Sequence, residues 1–403
     1  MRIKRAVLVG AAVIVVLWVL AAIVAYSREK GELAQAWPAG LGSVRDVPGH
    51  FPAQTDNESA TKLIVLAAAC DVRLGAPSGD HKAAAEGLNE YVRAQLQRGE
   101  DRAEAAPPKV AAILGAKVAP LDAVRAQLLS ATPPRWTMHI DRGLDAPLPN
   151  LLGHMELTRL FVARALDASS RGDAAAWEDL HAAWNLGAGV RTRPELISQL
   201  ISLALARTIN GAARTAPGPR PAWMHELADY DVRHSMLASM QGEAWMMHHA
   251  SEKLIGGAGF LNRVENAVAW PYAHLMGSST LAAYRRSATE LAASRDCDFR
   301  SGGFSDRMLA SIPSWNIIGR IALPNFGSMW QRVAHYGAER EATAKVIDLR
   351  SGVNVDVAST QCSDGTWSVA QRADGARVLK FSRKLTPANA VETVMPMELV
   401  ISR

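Results

Sequence analysis

Apolar positions run without a charge from Ala6 to Tyr26, AVLVGAAVIVVLWVLAAIVAY, before the chain turns to shorter periodic stretches. Twenty-one such residues at ~1.5 Å each make a helix about 31 Å long, which matches the hydrocarbon thickness of a bilayer. The next uninterrupted apolar run, Leu63 to Cys70, is too short to span. Breakers then crowd residues 37–57, WPAGLGSVRDVPGHFPAQTDN, which reads as a tether or extended strap. Helical periods follow over Glu58 to Arg73 and His81 to Arg98, with Asp56 or Asn57 and Asp80 placed as N-caps. Pro107-Pro108 and Pro133-Pro134 bracket a short helix around Pro120 to Ala131.

From Pro147 the helical stripe is regular and broad, with Leu151, Leu152, Met155, Leu157, Leu160, Phe161, Ala165 and Leu166. Gly172-Asp173 is a stop followed by a cap, and the period resumes over Ala174 to Leu186. The helix after Pro194, carrying Leu196, Leu200, Leu203 and Leu205, is apolar over much of its circumference and belongs at the centre of a helical core. A long helix is predicted from Pro221 to Lys253, a glycine joint at Gly256 to Gly259, and two helices over Leu261 to Ala269 and Ser279 to Arg295. After a helix from Met329 to Leu349 the period changes to two. Thr366 to Gln371 and Arg377 to Ser382 alternate like half-buried strands around Asp374-Gly375, a hairpin signal, and Val391 to Val394 and Glu398 to Ser402 offer two more.

The expected fold is therefore mainly α: a transmembrane helix, an antiparallel helical-hairpin bundle and a small C-terminal antiparallel sheet. The expected parts are a stub at 1–5, a span at 6–26, a tether at 27–57, a helical domain at 58–350 and a β-rich element at 351–403 packed on the helices. Arg2, Lys4 and Arg5 before the span against Arg28 and Lys30 after it, the latter diluted by Glu29 and Glu32, place the N-terminus inside. A cleaved signal peptide is the rival, but its apolar core would be shorter, and Ile23-Val24-Ala25-Tyr26 is a poor cleavage site. The expected address is a cell inner membrane, single-pass, with the N-terminus cytoplasmic and the bulk periplasmic. The bilayer is then the first partner, through residues 6–26.

Charge adds an exclusion. The net charge of +5 shrinks to 41 basic against 39 acidic residues once the three N-terminal cations are set aside, and no run of five like charges occurs. Nucleic acid is not an expected partner. Gly172-Asp173 with Ala176, Leu180 and Ala183 resembles the turn and second helix of a tetratricopeptide repeat, over about 163–190. The closing proline is missing, Trp177 and Trp184 stand in unusual places, and no second copy follows at a ~34-residue period. In layout alone the chain resembles uncharacterised bacterial single-pass envelope proteins with helical hairpins, a resemblance that implies no activity.

Candidate chemistry is sparse. Histidines gather at His225, His234, His248, His249 and His274. His248 and Glu252 share a helix face four residues apart and are the candidate metal pair, yet polar helix faces explain them as well. His225-Glu226 fails the zincin pattern because Asp229 stands where the second histidine belongs. The stretch Gly256 to Gly259 lacks the lysine and preceding strand of a phosphate loop. Ser198 and Ser202 lie mid-helix without a nucleophile elbow. No cofactor is implied. Of three cysteines, Cys297 and Cys362 sit in breaker-rich settings and are the disulfide candidate in an oxidising compartment, leaving Cys70 as a buried thiol. Most of the eleven tryptophans read as core, a few as a binding groove. These signs favour a non-enzymatic helical domain that binds or scaffolds another envelope protein. The alternative is an envelope hydrolase on cell-wall or peptide substrates, whose acid and base groups would have to converge.

Overall fold

A computed structural model describes residues 2–75, 87–255, 260–294, 297, 299, 301–387 and 394–402, with the side chains of 2–7, 251–268, 301–302, 318 and 322 left aside. Helix α1 (Arg2–Leu33) is continuous well past Tyr26. A strap follows, holding the single turn α2 (Val47–His50), and then α3 (Glu58–Ala68), α4 (Leu88–Gln97), α5 (Pro108–Ala116) and α6 (Val118–Ser130). The centre of the molecule is α7 (Leu151–Ser170), α8 (Ala176–Leu186), the turn α9 (Ala188–Arg191) and α10 (Leu196–Ala213). Short α11 (Met224–Asp229) leads to the long pair α12 (Val232–Ile255) and α13 (Phe260–Ala293). The chain closes with α14 (Ser301–Ala310), α15 (Ile317–Ala322), α16 (Phe326–Arg350) and strands β1 (Trp367–Gln371), β2 (Arg377–Phe381) and β3 (Glu398–Ile401). The fold is mainly α with a small antiparallel sheet.

Local chemistry sets most of these ends. Asn57, Asn150, Asn316 and Asn325 each accept the amide three residues on, at 2.8–3.0 Å, and so satisfy one orphan donor at the start of α3, α7, α15 and α16. Gly172, at φ 73°, and Asp173, whose carboxylate accepts the Ala175 amide at 2.9 Å, turn α7 back into α8. Gly375 at φ 84° and the Asp374 carboxylate on the Ala376 amide make the β1–β2 turn.

Two helices, Leu8–Leu33 and Leu196–Ala213, are long and apolar enough to cross a membrane by length and composition. Their surroundings separate them. The second is 67% buried and is the core helix α10, whereas the first is 11% buried and leaves Leu8 through Tyr26 largely uncovered.

Several expectations change on contact with tertiary structure. The supposed tether at 27–57 does not lead away: its first residues continue α1, and Trp37, Leu41 and Val44 are buried in the main core. Gln241 of α12 donates to the Leu41 carbonyl at 3.3 Å, and Gln54 and Met138 exchange backbone bonds at 3.0 and 2.9 Å. The helix expected from Pro221 to Lys253 is broken at Tyr230, because Asp231 caps a new start by accepting the His234 amide at 3.0 Å. Conversely, the two helices expected around 261–295 are one, with Pro271 inside. Packing holds it together on both sides of the proline, since Tyr26 of α1 meets both Trp270 and His274. The short helix expected around Pro120 to Ala131 is α6, with Pro120 in its first turn, where its missing N–H costs nothing, and α5 precedes it as a further helix. Helices α14 and α15 had no clear sequence signal. The glycine joint at 256–259, the Asp80 cap and most of the strand expected at 391–394 lie outside the described residues.

The sheet runs β1-β2-β3, with Trp367 opposite Phe381 and Leu379 opposite Leu399. Its inner face forms a second core with Ala338, Ala342, Val346 and Leu349 of α16. The outer edge of β3 does not stay open, because Val400 exchanges backbone bonds with Gly99 and Asp101 at 2.6 and 3.1 Å. Cys297, just past α13, and Cys362, before β1, form a disulfide with Cα atoms 5.2 Å apart. It closes a loop of 65 residues, which in a chain-entropy picture stabilises the fold by about 4 kcal/mol. Cys70 is buried and free, and burial pushes its thiol pKa up. Thiol titration of the unreduced, denatured chain is expected to find one reactive group, and Cys362→Ser to lower the urea midpoint. Three reactive thiols, or an unchanged midpoint, would contradict the clamp.

Candidate functional site

Three of the five candidate histidines stand apart from one another. His225 and His234 are exposed on α11 and at the start of α12, and His225 turns its Nδ1 to the carbonyl of Ala222 in its own turn. His249 stacks on Trp245 with ring centroids 4.9 Å apart. His248 is buried, but Glu252, its suggested metal partner, has a side chain outside the described residues. Among the described residues no group of three His, Cys, Asp or Glu side chains is arranged to hold a metal ion. Ser198 donates to the Glu195 carboxylate at 3.0 Å and Ser202 to the Ser198 carbonyl at 2.9 Å, the bonds of structural hydroxyls. Of the helical tryptophans, Trp177, Trp184, Trp223 and Trp330 are buried, while Trp315 is 43% exposed.

What His248 and His274 do meet is Glu29. This residue lies on α1 one turn beyond Tyr26, and it is 4% exposed. One carboxylate oxygen accepts from His248 Nδ1 at 3.2 Å and the other from His274 Nδ1. Gly277 lies directly beneath, and a Cβ there would strike the carboxylate. Tyr26 and Trp270 stack beside the group at 5.8 Å. A carboxylate taken out of water is costly unless paired, and here two imidazoles from α12 and α13 pair it. Glu32 and Arg285 extend the joint at 3.1 Å. The arrangement fastens α1 to the body; it exposes no reactive atom.

A second polar constellation is open to ligands. α10 faces α16 through Arg207 and Asn210. Arg207 grips Glu339 with Nε and Nη2 at 2.8 and 2.5 Å, and Asn210 donates to Thr343 at 3.1 Å. Glu339 is 3% exposed and also accepts the Met395 amide at 3.1 Å. Arg214, fully buried, donates to the carbonyls of Arg98 and Leu96, and burial lowers its pKa to about 10. Between α4, α7, α10 and α16 this seam opens into a cleft of 490 Å³, within the range of small-ligand sites. Its polar lining includes Arg93, Arg159, Arg207, Asn210 and Glu339. Arg207 and Glu339 neutralise each other. Arg159 of α7 has no hydrogen bond within the described residues; burial lowers its pKa, and only the charge of Glu156, a turn away, opposes that. Arg93 is exposed at the rim. The cleft therefore offers two guanidiniums to an anion, with a fixed ion pair as its floor.

Neither protein-family models, nor curated proteins, nor solved structures give a match to this chain. Histidines and carboxylates at short spacings stand out in the sequence, and these arginines do not. Arg93, Arg159 and Arg207 come from three helices at no motif spacing, so no sequence signal joins them.

Behind the cleft, α7 also carries His154, wholly buried against Trp136 and donating from Nδ1 to the Asn150 carbonyl at 2.9 Å. Burial depresses its pKa to about 4, opposed only by that hydrogen bond. The unfolded chain takes up this proton near pH 6.5 and the folded chain only near 4. Stability is therefore intact above pH 6.5 and falls as pH drops between these values, by about 3 kcal/mol in the limit. His154→Gln, which keeps a donor without the basic nitrogen, is expected to flatten that part of the urea-midpoint profile. An identical acid slope in both chains would contradict the assignment.

Proposed function

We propose that the chain is a single-pass membrane-anchored envelope protein whose helical body, on the periplasmic side, binds and scaffolds a partner by taking an acidic segment of it into the arginine cleft. Support for the anchor comes from α1. Its apolar residues from Leu8 to Tyr26 are mostly more than half exposed, Ile14 at 68% and Val24 at 61%, and a bare rod of this kind in water associates or aggregates. The basic residues before the span support the orientation.

The observation that carries the binding role is Arg159: a half-buried guanidinium without a hydrogen-bond partner among the described residues, lining a cleft of 490 Å³. A buried charge is costly unless it is paired, so an anionic ligand gains what the protein has left unmade. Carboxylates suit the planar fork of arginine, and peptide side chains supply them in series. A hydrolytic reading has less behind it, because His225, His248 and His249 each meet different neighbours.

Fluorescence anisotropy on the full chain in detergent tests the proposal, with labelled penta-glutamate and penta-lysine peptides as probes. The glutamate peptide is expected to bind in preference, more weakly as salt rises. Arg159→Ala is expected to weaken it about tenfold, the worth of a charge-assisted hydrogen bond, while Arg372→Ala on the distant hairpin leaves it unchanged. Equal binding of both peptides, or an unaffected Arg159→Ala chain, would contradict the proposal.

A further inference from the structure

Contacts between α1 and α13 advance together along both helices. Tyr26 meets Trp270, Glu29 meets His274 and Gly277, and Glu32 meets Arg285. The helices therefore run parallel, and α13 from Phe260 to Trp270 lies on the same side of Tyr26 as the apolar span. α12 runs the other way, with Arg233 donating to the Ser294 carbonyl near one end and His248 beside Glu29 toward the other. Burial on α1 begins at Ala22 and is complete at Ala25, inside the apolar stretch. From Ala22 to Tyr26 is about 6 Å of helix rise, so the body covers α1 within the outermost part of the length needed to span hydrocarbon.

The surface at this level has the composition of an interface with lipid. Trp315 is 43% exposed, Tyr272 43%, Ile317 60% and Ile321 79%. Ile317 and Ile321 stand four apart on α15 and so share one outward face. α15 is not a loose flap: Asn316 donates to the Met276 carbonyl and to the hydroxyls of Ser279 and Thr280 at 3.1–3.2 Å, and the Tyr272 hydroxyl donates to the Trp315 carbonyl at 2.5 Å. These bonds fix the apolar face beside the exit of α1.

A pocket of 270 Å³ borders this face and runs along α13 from Leu275 to Arg286, with Arg28, Ser278, Ser279, Ser311 and Trp315 also in its lining. Arg28 lies two residues past Tyr26, about 3 Å further along the axis, where phosphates follow hydrocarbon. It has no hydrogen-bond partner among the described residues, and Arg286 spends one nitrogen on the Ser311 carbonyl at 3.2 Å. Side chains on a helix lean toward its N-terminus, so Arg286 of α13 leans toward the bilayer level. Two guanidiniums, hydroxyls and an amphipathic indole beside an apolar face make a site for the phosphate of a phospholipid.

We infer that the face of the body around the exit of α1 rests on the bilayer, with Ile317 and Ile321 in the acyl boundary and an anionic phospholipid headgroup held between Arg28 and Arg286. The inference rests on the membrane-anchor reading of α1 and goes beyond it: a tethered body free of the surface would satisfy the anchor alone. The occupant is lipid because the face continues the uncovered apolar surface of α1 and its charge is positive.

The full chain in vesicles of phosphatidylcholine with a minor fraction of phosphatidylglycerol provides the test. Nitroxide at Ile321→Cys is expected to be relaxed by oxygen more than by a water-soluble nickel chelate, and nitroxide at Val369→Cys on the sheet the reverse. Spin-labelled phosphatidylglycerol is expected to associate in preference to phosphatidylcholine. Arg28→Gln with Arg286→Gln is expected to cut that preference at least about fivefold, the worth of one basic residue at an anionic surface, and excess inorganic phosphate is expected to leave it standing. Release of the chain by alkaline carbonate would remove the anchor and this inference together. Retention with the Ile321→Cys label open to nickel would overturn the inference alone. So would a label shielded from both relaxants, which indicates a protein occupant, or a lipid preference abolished by phosphate or indifferent to the double substitution.

Discussion

One buried carboxylate decides how this protein is built. Glu29 sits where the apolar helix meets the body, and it is taken out of water only because His248 of α12 and His274 of α13 pair with its two oxygens. Removing one partner of such a group leaves a buried charge uncompensated, which costs about 3 kcal/mol or more. Gly277 makes the approach sterically possible, and Tyr26 stacked on Trp270 shields it. The consequence is mechanical: α1 is the first element of the core rather than a detachable handle. The strap that follows it is pinned under α12, so the helix and body move as one piece.

The same economy of buried charge shapes the interior. Arg193 is wholly enclosed, with Glu195 on Nε and Nη2, the Thr137 carbonyl on Nη1 and the Pro147 carbonyl also on Nη2. Arg207 and Glu339 fix α10 against α16 in a single register, and Arg164 joins α7 to Asp179 of α8 and Asp122 of α6. Against these satisfied groups Arg159 stands apart. Unlike the enclosed Arg193 and Arg214, Arg159 faces a cleft, which is why the cleft carries the binding proposal.

Much of the architecture was legible because its causes are local. Asn57 as a cap, Gly172-Asp173 as a reversal, Asp374-Gly375 as a hairpin and the largely apolar α10 each follow from a few adjacent residues. Tertiary contact decided the rest. Pro271 reads as a break until α1 is laid along both sides of it. The strap reads as a linker because the partners of Trp37 and Leu41 lie two hundred residues away. The partners of Glu29 are 219 and 245 positions distant, and no spacing rule connects them. The ring nitrogens of His248 and His274 serve a carboxylate from the first helix, a use that spacing along one helix does not reveal.

Amide hydrogen exchange on the full chain, comparing Glu29→Ala with the unaltered protein, probes the joint most directly. If Glu29 fastens α1 to the body, residues 270–285 of α13 and 27–33 of α1 lose protection together while α7 and α10 keep theirs. Unchanged exchange in both segments would show that the apolar helix and the body hold together without this carboxylate, and the structural logic built on it would fail.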